Sequence, residues 1–487
     1  MNVRVARPKT RRGVLAAAAG SVATLALDAL ALSACARRQN RAPVTLTWYS
    51  WGPTLPLQWT TGPGLNPRFR SFGFFGPQST PVPPERVLEQ QVEPFVADRT
   101  DLTLKILTEQ PDKYHDKLKA LAAAGQLPDV VAFDGAQAVP LIRAGLLYHL
   151  GRLQGATSRA FLQSLPTPYL EASAYRGKLY GVPYQARQLV LFVNKTAFGG
   201  LTLPPAEWGN PNWTWAHFLE RASALTHRAF GGGYRQFGTL LTGRPLWAAL
   251  IRQNGGLEFN REFSRAYYDT PEVYEAIQWA ADLVERYNVA PTEQQNPQGN
   301  NWNFDFGNVA MWAWYQHAMP AVAQRVYTNF DWDIYPLPMN RKSATYAEWG
   351  YLSISSNTLD VDRAWDLVKF LVSPEGDALA LRDGIAGPVV RGSEPGFLTG
   401  AAGGKNKAAA IQAVHQPLVS RPQHEAWEQI RSLQDFYLRP VFNGTQKVIY
   451  ACRDLRLAVD GVLAGLETPK APAIGNAPVP EGDPGGG

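Results

Sequence analysis

The sequence predicts an α/β protein built as two blocks, each a layer of strands covered by helices. Three observations predict it. Runs of strand character are followed by amphipathic stretches with helix punctuation, the mark of an α/β layer with a mainly parallel sheet. That alternation begins twice, near residue 44 and again near residue 188. At 487 residues the chain is too long for one ordinary domain and suits two or three, each with a core of its own.

In the first block, VTLTWYSW from Val44 alternates as a strand with one buried face. Pro84 to Asp98 opens on proline, whose fixed φ suits a first helical turn. LTLKIL from Leu102 is a second strand. Asp112 to Ala124 is amphipathic and stops at Gly125, as helices that end in a left-handed residue do. VVAF after Pro128 and Asp129 is a third strand, and Pro140 to Ala144, closed by Gly145, is a further helical turn. Ligands of such sheets sit beyond the carboxyl ends of strands. Trp51 and Asp134, each just after a strand, therefore stand at a candidate site edge.

The second block opens with QLVLFVN, Gln188 to Asn194, and continues through the helix WAHFLERASALT behind a Thr214 cap. A segment around Trp247 and a helix from Pro271 to Tyr287 lead to FGNVAMWAWYQH, Phe306 to His317. If Val309 to Tyr315 is a strand, Met311, Ala313 and Tyr315 share one face, and Trp312 and Trp314 share the other. Two indoles then point the same way, either into a core or toward a ligand. The last helices span about Gln423 to Leu463. The Gly-, Pro- and aromatic-rich segment from Trp51 to Pro84 fits neither block and has the length of a functional loop over the site edge. Residues 469–487 carry too few apolar side chains to fold and are expected to be disordered.

The formal charge of +6 gives little reason to expect a nucleic-acid partner. Residues 1–34 hold Arg4, Arg7, Lys9, Arg11 and Arg12 against Asp28 alone, and without them 42 basic face 40 acidic residues. No stripe of lysine and arginine interleaves with aromatics. Residues 1–34 read as an export signal: paired Arg11 and Arg12, then an apolar stretch, then Leu32-Ser33-Ala34-Cys35. The Thr-Arg-Arg start resembles a twin-arginine signal, and Leu-Ser-Ala-Cys resembles a bacterial lipobox. Lipid on Cys35 would hold the protein at the outer face of the plasma membrane, with residues 35–42 as tether. Cys452 is then the one remaining thiol, so no disulfide framework is expected, and its helical apolar pattern marks it as a small buried hydrophobe.

Seven histidines are scattered without metal-ligand spacing, and neither a nucleophile elbow nor a phosphate loop occurs. A metal or other cofactor is not expected. What is plentiful is tryptophan, 15 in all, several beside polar groups at predicted strand ends, which suits sugars with their apolar faces and hydroxyl edges.

An ordered set of motifs runs through nearly all of the mature chain: Leu127-Pro-Asp-Val-Val131, Tyr175-Arg-Gly-Lys-Leu-Tyr-Gly-Val-Pro183, Phe192-Val-Asn-Lys195, Trp213-Thr-Trp215 with Phe218, Asn254-Gly-Gly256, Phe306-Gly-Asn-Val-Ala-Met311, Asp331-Trp-Asp-Ile-Tyr-Pro-Leu-Pro338, and Ala364-Trp365 with Phe370-Leu371 before Ser373-Pro-Glu375. By these the chain resembles the extracellular solute-binding proteins of ABC transporters, the group that includes maltose- and oligosaccharide-binding proteins. The resemblance implies a two-lobed periplasmic-binding-protein fold with a ligand cleft between lobes. Hinge crossings would fall near Tyr184 to Arg187, Pro336 to Pro338 and Ala386 to Pro388. Residues 43–185 and 338–386 would form the first lobe, and 186–337 and 387–468 the second. It implies a monomer that binds a sugar or oligosaccharide and delivers it to permease subunits, with no catalytic residue; the family also carries polyols and phosphorylated polyols. Family contact positions fall by place on Phe133, Gln137, Arg187 and Trp247, with Trp349 and Trp427 near such positions. The family commonly has a glycine and then a tryptophan after Ala-Met, where Tyr315 and His317 stand here, so the stacking ring is Trp312, Trp314 or Tyr315. The competing class is an exported carbohydrate-active enzyme, which needs two carboxylates across a bond, with Asp134 and Glu348 among the candidates.

Overall fold

The structure is a computed structural model that describes residues 42–50, 84–381 and 390–465, apart from 98, 110, 136–137, 154, 242, 261, 298–300, 391, 400–405 and 422–423. The export segment with Cys35, residues 51–83 of the loop, Gln137, the crossing near Ala386 to Pro388 and the tail lie outside these residues. In chain order the strands are β1 (Val44–Tyr49), β2 (Leu102–Leu107), β3 (Val130–Asp134), a separate hairpin of β4 (Ala174–Tyr175) and β5 (Lys178–Leu179), β6 (Gly181–Asn194), β7 (His227–Arg228), β8 (Tyr234–Leu240), β9 (Val309–Tyr315), β10 (Trp332–Tyr335), β11 (Thr345–Ile354) and β12 (Leu418–Val419). All but the hairpin join one ten-stranded sheet in the order β2-β1-β3-β11-β6-β9-β8-β7, with β10 on β6 and β12 on β11.

Two long strands make this one sheet serve two lobes. The first part of β6, Gly181 to Tyr184, pairs with Gly350 to Ser353 of β11, which in turn pairs with β3. Its later part, Leu189 to Val193, pairs with β9, and Leu191 to Asn194 pairs with β10. Between these parts β6 carries one residue more than β11, because Tyr184 and Arg187 oppose Gly350 and Glu348. That is a bulge, and Gln185 within it takes a left-handed φ of 52°. A bulge bends its strand, so the change of lobe and the break in register coincide.

The sequence expectation of a mainly parallel sheet needs correction. The β1–β2, β1–β3 and β8–β9 pairs are parallel, but β6 and β11 run antiparallel to each other, and β3, β9 and β10 meet them antiparallel. The second crossing is also displaced. Residues 336–339 stay with the second lobe, where Trp213 Nε1 donates to Pro336 O and Trp215 N to Met339 O, and it is β11 that passes between the halves.

Helices cover both faces, following the alternation of each strand. In the first lobe Leu46 and Trp48 face the helices Pro84–Ala97 and Val361–Leu371, while Tyr49 and Phe133 face Pro111–Ala123 and Ala138–Arg143. In the second, Leu189, Met311 and Tyr315 face the helices Arg244–Gln253, Pro271–Glu285, Trp427–Phe442 and Val448–Leu463, while Val190 and Phe192 face Met319–Val326. Cys452 is fully buried in the last of the first group, and burial pushes its thiol up to about 12. Thr214 caps its helix as expected, with His217 taking the reciprocal role that glutamate often fills.

Gln316 fastens the crossing itself. Pairing between β6 and β9 stops at Leu189 and Tyr315. Beyond it the Gln316 side chain takes over: its Oε1 accepts the Gln188 N–H at 2.6 Å, and its Nε2 donates to Ala186 O at 3.0 Å and to Gln188 Oε1 at 2.6 Å. Gln188 Nε2 then donates to Tyr169 Oη at 2.7 Å, on the short helix Thr167–Ala172.

Candidate functional site

Strand ends from both halves of the sheet meet beside the crossing. β3 ends on Asp134, β9 ends on Tyr315, and β11 carries Tyr346 and Glu348 past them. Two residues beyond β12 stands Arg421, which draws these groups together. Its Nη1 lies 2.9 Å from Asp134 Oδ2, and its Nη2 lies 2.8 Å from Glu348 Oε1, so one guanidinium spans two carboxylates. Burial opposes the charge on Arg421, yet Asp134 and Glu348 outweigh it and raise its pKa. Tyr315 is buried beside this pair; burial first, and the Glu348 carboxylate second, raise its phenol pKa.

A second charge cluster continues into the second lobe. Tyr346 Oη donates to Glu348 Oε1 at 3.4 Å and accepts from Arg244 Nη1 at 2.9 Å. Arg244 starts its helix behind Gly243, donates to Gln434 Oε1 at 2.7 Å, and lies 3.3 Å from Glu258. Gln434 and Tyr268 close the ring of contacts around Glu258, and the Trp427 indole lies over Arg244, with 4.3 Å from its centroid to Cζ. Arg187 faces the same space. It is the only residue of β6 that is not buried, it stands opposite Glu348, and its side chain has no hydrogen bond or ion pair among the described residues. Behind it, burial and then the Arg187 charge push His317 down to about 3. Among the described residues no three His, Cys, Asp or Glu are grouped to hold a metal, and no helix is long and apolar enough to cross a membrane.

The profile of the bacterial extracellular solute-binding protein family matches residues 90–403. The chain belongs to this family. No curated protein matches it. Solved structures of this solute-binding protein's fold include an ABC substrate-binding protein from Listeria monocytogenes in complex with cycloalternan, with a TM-score of 0.66, 20% identity, and 87% of this chain and 100% of that one covered. The sugar-binding protein MalE from Xanthomonas citri gives 0.67 at 18% identity over 87% and 98%. The cyclic alpha-maltosyl-1,6-maltose binding protein from Arthrobacter globiformis gives 0.67 at 18% identity over 87% and 100%. The two-lobed α/β architecture expected from sequence is the fold of these proteins.

Within this solute-binding protein those residues expected at the site that are described separate into three groups. Asp134, Arg187 and Tyr315 come together around Glu348 and Arg421. Phe133, Trp247, Trp349 and Trp427 are buried in cores: Phe133 stacks on Tyr351, and Trp349 packs edge-on to Tyr169 with its Nε1 donating to Ser173 Oγ. Trp312 and Trp314 do share a face and stack, with centroids 5.3 Å apart and planes within 11°. That face is the one shared with Phe192 and Phe304, on the opposite side of β9 from Tyr315, and both indoles are half-buried there. Trp51 and Gln137 lie outside the described residues.

Sequence reasoning missed Arg421, Arg244 and Tyr346. A lone arginine in a loop carries no spacing signal. Arg244 did have one, the Gly-Arg-Pro that opens a helix, and Glu348 stood out as a charge inside the apolar run TYAEWGYLSI. Replacing Arg421 by Met is expected to cost about 1–2 kcal/mol of stability, between the values for exposed and buried ion pairs, because two carboxylates are left facing each other. Urea unfolding checks this, and an unchanged midpoint would mean that neither pair contributes.

Proposed function

We propose that this solute-binding protein captures a sugar or oligosaccharide between its lobes and hands it to the permease of an ABC importer, tethered to the membrane by lipid on Cys35. The observation that carries the reading is the Arg421 cluster. It draws on the first lobe through Asp134, on a crossing strand through Glu348 and Tyr346, and adjoins Tyr315 of the second lobe. Asp134 and Glu348 share the Arg421 guanidinium, and Arg187 opposite Glu348 balances the second carboxylate, so the surface offers hydrogen bonds without surplus charge, which suits a neutral polyhydroxyl ligand. Arg187, uncommitted among the described residues, is the side chain most free to bond it. The solved structures of like fold include sugar-binding proteins, which supports the same class.

A hydrolase is the reading that the cluster disfavours. Arg421 occupies the space between Asp134 and Glu348 where a glycosidic bond would have to lie. A thermal-shift screen over neutral sugars tests the proposal. A true ligand at a hundred times its dissociation constant adds about 2.7 kcal/mol of stability, and the sugar should be recovered unchanged. Melting that no sugar shifts would overturn the reading, and release of smaller sugars would favour the enzyme.

A further inference from the structure

The hairpin of β7 and β8 ends the sheet on the second-lobe side, and its tip carries Phe230 fully exposed. After Phe230 come Gly231, Gly232 and Gly233, with φ of 90°, 102° and 73°. Only glycine adopts such angles freely, and three bare residues leave the phenyl ring standing clear of the turn. The base of the hairpin is packed. Tyr234 stacks on Phe237 at 4.2 Å, and Phe237 meets Trp302 edge-on at 4.6 Å. We propose that this tip docks on an anionic phospholipid bilayer, with Phe230 entering among the headgroups and Arg228 and Arg235 facing their phosphates. The proposal goes beyond sugar capture and does not depend on it.

Charge is the first argument. No Asp or Glu occurs from Arg221 to Leu257. Arg228 and Arg235 are exposed, and neither side chain has an ion pair among the described residues. Arg228 instead lies over the Tyr234 ring, with 4.7 Å from Cζ to the centroid. Pairing of β7 with β8 shifts between His227–Gln236 and Arg228–Tyr234, so Arg235 is an extra residue outside the ladder. Such a bulge re-aims a side chain. An apolar ring between unpaired arginines is the pattern that binds the surface of an anionic membrane. Exposure alone does not make it: Leu359 is equally exposed but is followed by Asp360 and Asp362.

Place is the second. β8 runs parallel to β9 with Phe237 beside Val309, so Tyr234 lies about 10 Å beyond the start of β9. Tyr315, at the other end of β9, is then about 30 Å from the tip. A partner that must register lobe closure has to touch both lobes, and this tip offers only one. A bilayer needs no more than the tip, and contact there leaves the Arg421 end uncovered.

The test is co-sedimentation of the mature chain, with Cys35→Ser so that no lipid contributes, on vesicles of phosphatidylglycerol and phosphatidylcholine in equal amounts or of phosphatidylcholine alone. Wild type should bind the anionic vesicles about tenfold or more tightly than the neutral ones, and raising salt from about 0.1 M to about 0.5 M should remove most of that preference. Phe230→Ser should weaken anionic binding by about tenfold, and Arg228→Gln with Arg235→Gln by about twentyfold. Lysine at both positions should keep it, and so should Leu359→Ser. Failure of wild type to bind anionic vesicles, which needs no variant to fold, overturns the proposal and leaves sugar capture untouched. Equal binding by the Phe230 and arginine variants, or equal loss with Leu359→Ser, overturns it as well. So does a dimer in sedimentation velocity that Phe230→Ser abolishes, because the ring would then be covered by a second copy.

Discussion

Gln316→Ala is expected to destabilise the protein by about 3–5 kcal/mol, far more than loss of an ordinary glutamine. The side chain is fully buried and makes three hydrogen bonds within the crossing. Removing it leaves the Gln188 N–H, the Ala186 carbonyl and the Gln188 amide oxygen unpaired, each costing about 1–3 kcal/mol when water cannot reach it, with a cavity added. Gln188 would also be freed from the orientation that lets it donate to Tyr169 Oη. Urea unfolding of the two proteins at neutral pH measures the difference. A loss under about 1 kcal/mol would mean that water or a repaired strand pair replaces the side chain.

The second large effect is on pH. His317 titrates near 6.5 when unfolded but is held down to about 3 in the fold, by burial first and by Arg187 second. Its Nδ1 is buried with no hydrogen-bond partner among the described residues, although the residue as a whole is only partly buried. Because the folded pKa is the lower one, the unfolded chain binds the proton first. The stability His317 contributes is therefore complete above pH 6.5 and is lost as pH falls from 6.5 toward 3. Allowing for partial exposure, the loss between pH 7 and pH 4 should be about 2–3 kcal/mol. His317→Asn should match wild type at pH 7 within about 1 kcal/mol and fall less steeply as acid is added. Parallel curves for the two proteins would show that the imidazole is not held neutral.

Sequence reading succeeded where a segment's own pattern settles its structure. Val309 to Tyr315 was legible as a strand because its faces differ so plainly, and the stacked pair of indoles follows from that alternation. QLVLFVN was legible too, but its strand begins at Gly181. Pro183 and the polar Gln185 hid the earlier half, since proline lacks a donor for pairing and neither residue favours strands. Strand direction was not legible, because which neighbour a strand pairs with depends on contacts far along the chain. Similarly, Asp134 could be placed by the strand-end rule alone, whereas Arg421 acquires its role only when β12 settles beside β11. The aromatic residues show the same limit. Phe133 and Trp427 have local sequences that look alike whether a ring packs inside or meets a ligand, and both are buried.

The interleaving of β11 between β3 and β6 also dictates an order of assembly. Asp134 finds its partner only when Gly350 has been made, whereas Leu189 to Val193 can pair with β9 before any of β11 exists. A chain growing from its N-terminus therefore builds the material of its first lobe early and must leave it unclosed, with the edge of β3 open, while much of the second lobe already has the strands it needs. Pairings this distant are slow to form, and open edges invite the wrong neighbour. Refolding from urea should accordingly be led by the second lobe, with Trp332 protected from solvent before Tyr351.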